Sequence, residues 1–169
     1  VIERSRPGTS SHRLRALRRV LEVLPRDELF QSDTATLYDT AMRIFLIQER
    51  RKTRLFIRTD RRNRFAFCLL YWPRDIYRTE LRQKIESRLM DALGAEESEF
   101  TTFFSESVLV RTYFVMRLGE QARTDYDAEE LETLVVRIAQ QWQDELGTAL
   151  AEEFGEEQGL RRLALYAQA

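Results

Sequence analysis

Phe65-Ala66-Phe67-Cys68-Leu69-Leu70-Tyr71-Trp72-Pro73-Arg74-Asp75-Ile76-Tyr77-Arg78-Thr79-Glu80-Leu81-Arg82 is an apolar octet that runs into a segment of charged and hydroxyl side chains. The octet is apolar at both alternating sets of positions. Phe65, Phe67, Leu69 and Tyr71 form one set, and Ala66, Cys68, Leu70 and Trp72 the other. Side chains of a strand point alternately to its two faces, so such a run reads as a central strand covered on both sides. Pro73 has no N–H for a sheet ladder and holds Trp72 extended, which stops the strand. Beyond it, Leu81, Ile85, Leu89 and Leu93 recur at helical spacing, and Gly94 suits the residue after a helix end. The spacing predicts a helix over Thr79–Leu93.

Working outward, Thr53–Thr59 and Phe65–Trp72 read as strands joined by the polar turn Asp60-Arg61-Arg62-Asn63. Glu99–Phe104 and Val108–Leu118 read as a second pair, turning on Ser105-Glu106-Ser107. Asp127 is a helix-start signal, with Glu130 three places on. The stripe Leu131, Leu134, Val135, Ile138, Trp142, Leu146, Ala149 and Leu150 follows, Gly155 stops it, and residues 158–166 form a last helical piece. The order strand, strand, helix, strand, strand, helix is that of a ferredoxin-like sandwich with its last strand moved to the front. The predicted fold is therefore α+β, with a four-stranded antiparallel sheet. Its centre should hold 65–72 and 108–118, the longest and most apolar strands, with the shorter, charge-flanked strands at the edges. Helices on one face alone would leave half of the octet wet, so N-terminal helices or a second protomer must cover the other face.

Residues 1–10, with Pro7, Gly8 and three hydroxyl side chains, are expected to be disordered. Ser11 opens a helix over 12–24 with the stripe Leu14, Leu17, Leu21 and Leu24, and Pro25 ends it. Asp33 or Thr34 starts another, to about Glu49, with Leu37, Ala41, Ile44, Phe45 and Gln48 inward. The expected organisation is N-terminal helices over 11–50, the α+β domain over 51–150 and a C-terminal helical extension over 151–169. The absence of an initial Met and an ending in mid-pattern read as a piece of a longer chain.

The 169 residues are 43% hydrophobic and 33% charged, the composition of a soluble globular protein. No apolar run approaches the ~20 residues of a membrane span. One cysteine, Cys68, inside the octet fits an inert buried thiol in a reducing cytoplasm. The near-neutral total conceals a gradient. Residues 1–64 carry 16 basic and 8 acidic side chains, whereas 119–169 carry 4 and 12. Such ends attract across a fold or between protomers, or simply form two solvated faces.

Catalytic chemistry has little to work with. His12 is the sole histidine and Cys68 is isolated, so neither a Cys–His pair nor a thiolate metal site is available. The six glycines are scattered and form no phosphate loop. The expectation is no catalytic, cofactor or metal site. Arg74, Asp75, Arg78, Thr79, Glu80 and Arg82 at a helix entrance suit a small charged ligand. They suit equally plain capping, with Asp75 or Thr79 accepting a backbone N–H. An alternative is a sheet that stacks single-stranded RNA on Phe65, Phe67, Tyr71, Phe103, Phe104, Tyr113 and Phe114, fed by the arginines of 50–64. The acidic C-terminal third and the scarcity of basic residues among those aromatics oppose a polyanion.

Several segments, in order, form a further pattern. They are Val23-Leu24-Pro25-Arg26-Asp27-Glu28-Leu29-Phe30-Gln31, Leu37-Tyr38, Gln48-Glu49-Arg50 and Arg54-Leu55-Phe56-Ile57-Arg58-Thr59-Asp60 with Arg64-Phe65. Pro73-Arg74-Asp75 with Thr79, Glu80 and Arg82, then Phe100-Thr101-Thr102, Ser105-Glu106-Ser107 and Arg111, complete it. Together these resemble the N-terminal, non-catalytic region of the large bacterial NAD-specific glutamate dehydrogenases. Trp72, Tyr113 and Phe103-Phe104 depart from the family's usual Val, His and a more polar pair. The resemblance implies ACT-like modules, which elsewhere bind amino-acid effectors at the edges of paired domains. It implies a parent oxidoreductase that deaminates L-glutamate with NAD, the NAD site and catalytic lysines lying C-terminal to these motifs. It also implies a regulatory, homo-oligomeric module of amino-acid metabolism, paired through its sheet or helices and without nucleic acid or membrane. Arg74, Asp75, Arg82, Ser105, Glu106, Ser107 and Arg111 become candidates for one effector or interface site. In that version Arg74 or Arg82 holds a carboxylate bidentately, and Asp75 or Glu106 an ammonium.

Overall fold

The computed structural model describes residues 11–25, 29–30, 32–47, 51–120, 122 and 125–166. The expected disorder of 1–10 lies outside them. The chain divides into two compact units, Val1–Arg50 and Arg51–Ala169.

In the first unit α1 (Ser11–Val23) packs against α2 (Thr34–Ile47). Asp33 caps α2, its carboxylate accepting from Ala35 N (2.9 Å), Thr36 N (3.1 Å) and Thr36 Oγ1 (2.6 Å). Those donors hold its carboxyl below the usual range. Leu17, Val20, Leu24, Ala41, Ile44 and Ile47 are buried, so Val20 rather than Leu21 lies at the middle of the α1 stripe.

The second unit runs β1 (Arg54–Thr59), β2 (Phe65–Pro73), a 3-10 turn (Arg74–Ile76), α3 (Thr79–Leu93), β3 (Ala95–Phe103), β4 (Leu109–Leu118), α4 (Ala128–Phe154) and α5 (Glu156–Tyr166). All pairings are antiparallel and the order is β1-β2-β4-β3, which puts the two apolar strands at the centre as expected. Two elements start earlier than the sequence suggested. β3 begins at Ala95, directly after Gly94, because Gly94 takes a left-handed conformation (φ 69°, ψ 38°) and turns the chain straight into the sheet. The extra residues include the Glu96 bulge and Glu97, charges that a centre would reject and an edge tolerates. α5 begins at Glu156 rather than at 158.

The register sorts the side chains. Leu55, Ala66, Cys68, Leu70, Trp72, Val110, Phe114 and Met116 face α3 and α4, meeting Leu81, Ile85, Leu89, Leu93, Leu131, Val135 and Ile138 in one core. Each fully buried Leu, Ile, Val, Phe or Met among them contributes about 1.5–3 kcal/mol by leaving water. Trp72 is fully buried, and its indole N–H donates to Thr112 Oγ1 at 3.2 Å, so the polar end of the ring is satisfied. The other face carries Phe67, Leu69, Tyr71 and Tyr113, which are also buried.

Polar groups fix the connections. In the β1–β2 turn Asp60 Oδ1 accepts from Arg64 N (2.5 Å) and Phe65 N (2.9 Å), and Asn63 takes the positive φ of 52° that asparagine tolerates. Desolvation pushes the Asp60 carboxyl up. The N–H groups of Phe65, Arg64 and Arg62 and the charge of Arg64 outweigh it, leaving the pKa lowered. Asp127 caps α4, accepting from Glu129 N (2.8 Å) and Glu130 N (3.3 Å). At about 1.5 Å per residue, the 27 residues of α4 span about 40 Å, longer than the sheet it covers. Its far end packs on α5, where a Cβ on Gly159 would stand 2.8 Å from the Ala151 backbone. Only glycine permits that approach.

Candidate functional site

The corner after β2 is built by the 3-10 turn docking on the β3–β4 loop. Arg74 N donates to Val108 O at 2.9 Å, and Arg74 Nη1 donates to Ser105 O at 3.3 Å. The loop is held by its own serines. Ser107 N donates to Ser105 Oγ (3.3 Å), and Leu109 N donates to Ser107 Oγ (3.1 Å). Tyr77 lies between Trp72 and Phe104, with ring centroids 5.0 and 5.1 Å away in edge-on contacts. The Pro73-Arg74-Asp75 corner and the Ser105-Glu106-Ser107 turn are therefore one structural unit.

Capping does not explain this corner. The residue before α3 is Arg78, and its side chain makes no cap hydrogen bond. Neither Asp75 nor Thr79 serves as the cap that the sequence allowed. Asp75 Oδ2 instead pairs with Arg51 Nη1 at 3.4 Å, and Asp75 Oδ1 is buried with no hydrogen-bond partner among the described residues. A buried carboxylate oxygen lacking a donor is costly and needs a reason. Arg74 is exposed beside it, and Glu106 is exposed at the tip of the loop.

The remaining two candidates do not join them. Arg82 is 5% exposed, pairs with Glu86 one helical turn on, and stacks 3.6 Å from the Phe100 ring centre. It braces α3 against β3 and has no capacity to grip a ligand carboxylate. Arg111 pairs in register with Tyr71 and Phe103, on the sheet face opposite α3, and its guanidinium sits 4.3 Å from the Phe103 ring centre. Burial lowers the Arg111 pKa and the Tyr71 hydroxyl offsets this; burial raises the Tyr71 pKa and Arg111 offsets that. The seven candidates thus resolve into a corner of Arg74, Asp75, Ser105, Glu106 and Ser107, with Arg82 and Arg111 on opposite faces of the sheet.

Sequence reasoning missed Arg51, Tyr77 and Phe104 as parts of the corner. Arg51 lay in a run of similar arginines, Tyr77 carried no signal of its own, and Phe104 was weighed only as a base-stacking ring and a departure from the family pattern. It also missed a separate open cleft of about 490 Å³ between the end of α3 and the start of α4, lined in part by Ala92, Tyr126, Glu130 and Arg137. Among the described residues no group of His, Cys, Asp or Glu is arranged to hold a metal. Cys68 is buried and is not part of a disulfide. No helix among them is long and apolar enough to cross a membrane. Of the ring set considered for stacking bases, Phe67, Tyr71 and Tyr113 are 7% exposed and Phe114 is fully buried, so most of that platform is inaccessible.

A four-stranded antiparallel sheet of this order, backed on one face by two helices, is an α+β domain of ACT type. Residues 54–143 match the family described as glutamate dehydrogenase, ACT2 domain, and residues 1–50 match glutamate dehydrogenase, helical motif 1. The chain belongs to this glutamate dehydrogenase family. A Pseudomonas aeruginosa protein named NAD-specific glutamate dehydrogenase is 46% identical over 164 residues, covering 97% of this chain and 10% of that protein. One of the same name from Halomonas elongata is 44% identical over 146 residues, covering 86% of this chain and 9% of its own length. A third, from Mycobacterium tuberculosis, is 31% identical over 173 residues, covering 94% and 11%. The chain spans about a tenth of the length of these relatives. None of these likenesses supports an RNA-binding sheet.

Proposed function

We propose that this chain is a non-catalytic regulatory and assembly module of a cytoplasmic NAD-specific glutamate dehydrogenase. The parent oxidatively deaminates L-glutamate to 2-oxoglutarate and ammonia, with NAD bound by other segments. The module binds a free amino acid at the β2 corner. Asp75 Oδ1 carries this reading, because a buried carboxylate oxygen without a donor is suited to an incoming ammonium. Arg74, exposed next to it and tethered by a single 3.3 Å bond to Ser105 O, is free to turn and take the carboxylate with its planar fork. Glu106, next to Ser105 at the exposed tip of the loop that docks on this turn, supplies a second acceptor. Arg82 has no part in this version, since Glu86 and Phe100 already engage it.

A thermal-shift screen of the chain against the free amino acids tests the proposal. A ligand at 100-fold its dissociation constant adds about 2.7 kcal/mol of stability, a rise of several degrees for a domain of this size. Asp75→Asn and Arg74→Ala are each expected to abolish the shift while leaving the unliganded melting temperature within about 2 °C. Absence of any shift, together with unchanged amino-acid regulation of the full enzyme carrying Arg74→Ala, would exclude an effector site at this corner.

A further inference from the structure

The sheet has two outer strands, and they are treated differently. β3 presents a long, largely exposed edge, with Glu96, Glu97, Glu99, Phe100, Thr101 and Phe103 all exposed. β1 is met along its outer side by α4 and the residues before it. Glu132, from the second turn of α4, accepts from Leu55 N through Oε2 at 3.0 Å and pairs with Arg54 Nη1 through Oε1. Its side chain is 14% exposed, so the contact lies largely out of water. Tyr126 lies against the side chain of Thr59 at the other end of the strand.

Leu55 N–H must point away from β2 to reach Glu132. Because donors alternate along an antiparallel strand, Ile57 and Thr59 also direct their N–H groups outward. A row of such donors on an outer strand is a template for another strand. Here the template is also self-complementary. A two-fold axis through Ile57 sets Leu55 opposite Thr59 and Ile57 opposite its own copy. It also sets Arg54 opposite Asp60, a pair of opposite charge. Without a cover, this strand would add a second copy of itself.

We propose that Glu132, assisted by Tyr126, is an edge guard that closes β1 against strand addition by a second copy of the chain. Its carboxylate occupies the first outward donor of the row and neutralises the arginine that would otherwise meet Asp60 of the copy. The effect is to make association of the sheet one-sided. This inference is independent of the effector reading, because it invokes neither the β2 corner nor any amino acid.

The test compares the 169-residue wild type with Glu132→Ala and Glu132→Gln, by light scattering over a concentration series and by hydrogen exchange of the segment 54–59. Alanine cannot reach Leu55, so that variant is expected to show an about twofold rise in mass with concentration, as a two-fold dimer requires. Slower exchange confined to 54–59 should accompany the rise. Glutamine keeps an acceptor for Leu55 and is expected to stay at the wild-type mass. Far-UV circular dichroism checks the fold. Glu132→Ser, equally too short to reach Leu55, replaces the alanine variant if that does not fold. A folded truncation that keeps the wild-type mass and wild-type exchange over 54–59 overturns the proposal. So does a glutamine variant that associates as strongly as the truncation.

Discussion

β2 and β3 are strands of equal length in one sheet, and they live in different media. Seven of the nine residues of β2 are buried, and none of the nine in β3 is. The difference follows from composition. β2 has no charged side chain, so both of its faces can be desolvated without an uncompensated charge. β3 carries Glu96, Glu97 and Glu99, which keep it at the rim. Arg117 reaches across from β4 to both Glu96 (2.7 Å) and Glu97 (2.8 Å), an exposed network that orders the bulge but contributes little to stability. The site follows the same division: the corner grows where the buried strand meets water at Pro73.

The contrast can be broken most directly at Trp72. Trp72→Ala leaves a large cavity and removes one of the two partners of the Thr112 hydroxyl, which keeps Thr102 Oγ1 at 3.3 Å, and is expected to cost about 3–5 kcal/mol by urea denaturation. Thr101→Ala on β3 is expected to stay within about 0.5 kcal/mol. Comparable losses at the two positions would contradict the centre-and-edge assignment. A smaller effect concerns the turn that feeds the edge strand. Gly94→Ala must hold a Cβ at φ 69°, and an expected loss of roughly 1–2 kcal/mol should appear in the same titration.

The smallest effect sharpens the picture at the β1–β2 turn and depends on pH. The Asp60 carboxyl is lowered in the folded state, so its stabilising effect is fully present above the unfolded carboxylate pKa of about 3.9. That effect disappears as pH falls through the lower folded value. Asp60→Asn cannot titrate, so its stability should vary less steeply than wild type between about pH 5 and pH 2. Parallel curves for the two proteins would mean that the turn does not depend on the ionised carboxylate.

Much of this was legible without coordinates. The doubly apolar run of Phe65–Trp72, the four-residue spacing of Leu81, Ile85, Leu89 and Leu93 on α3 and the glycine after it set the strand order, because burial and backbone geometry leave few alternatives for such patterns. The corner was legible as a place but not as a mechanism. Arg74, Asp75 and the Ser105 turn are about 30 residues apart, and only the β2–β4 register brings them together. Arg82 looked like a member because it is close in sequence. Helical geometry turns it towards Glu86 and Phe100 instead.

Period, composition and turn chemistry thus determined by themselves that this chain forms a four-stranded antiparallel layer with Phe65–Trp72 and its β4 neighbour innermost. Those signals are local, and the cost of burying charge makes them decisive. Tertiary structure alone decided which polar groups end up with partners. It left Asp75 Oδ1 without one, gave Leu55 N–H to Glu132 across 77 residues of sequence, and placed Arg82 and Arg111 on opposite faces. Hydrogen bonds act over about 3 Å, and no pattern along a chain specifies which distant atoms folding will bring within that reach.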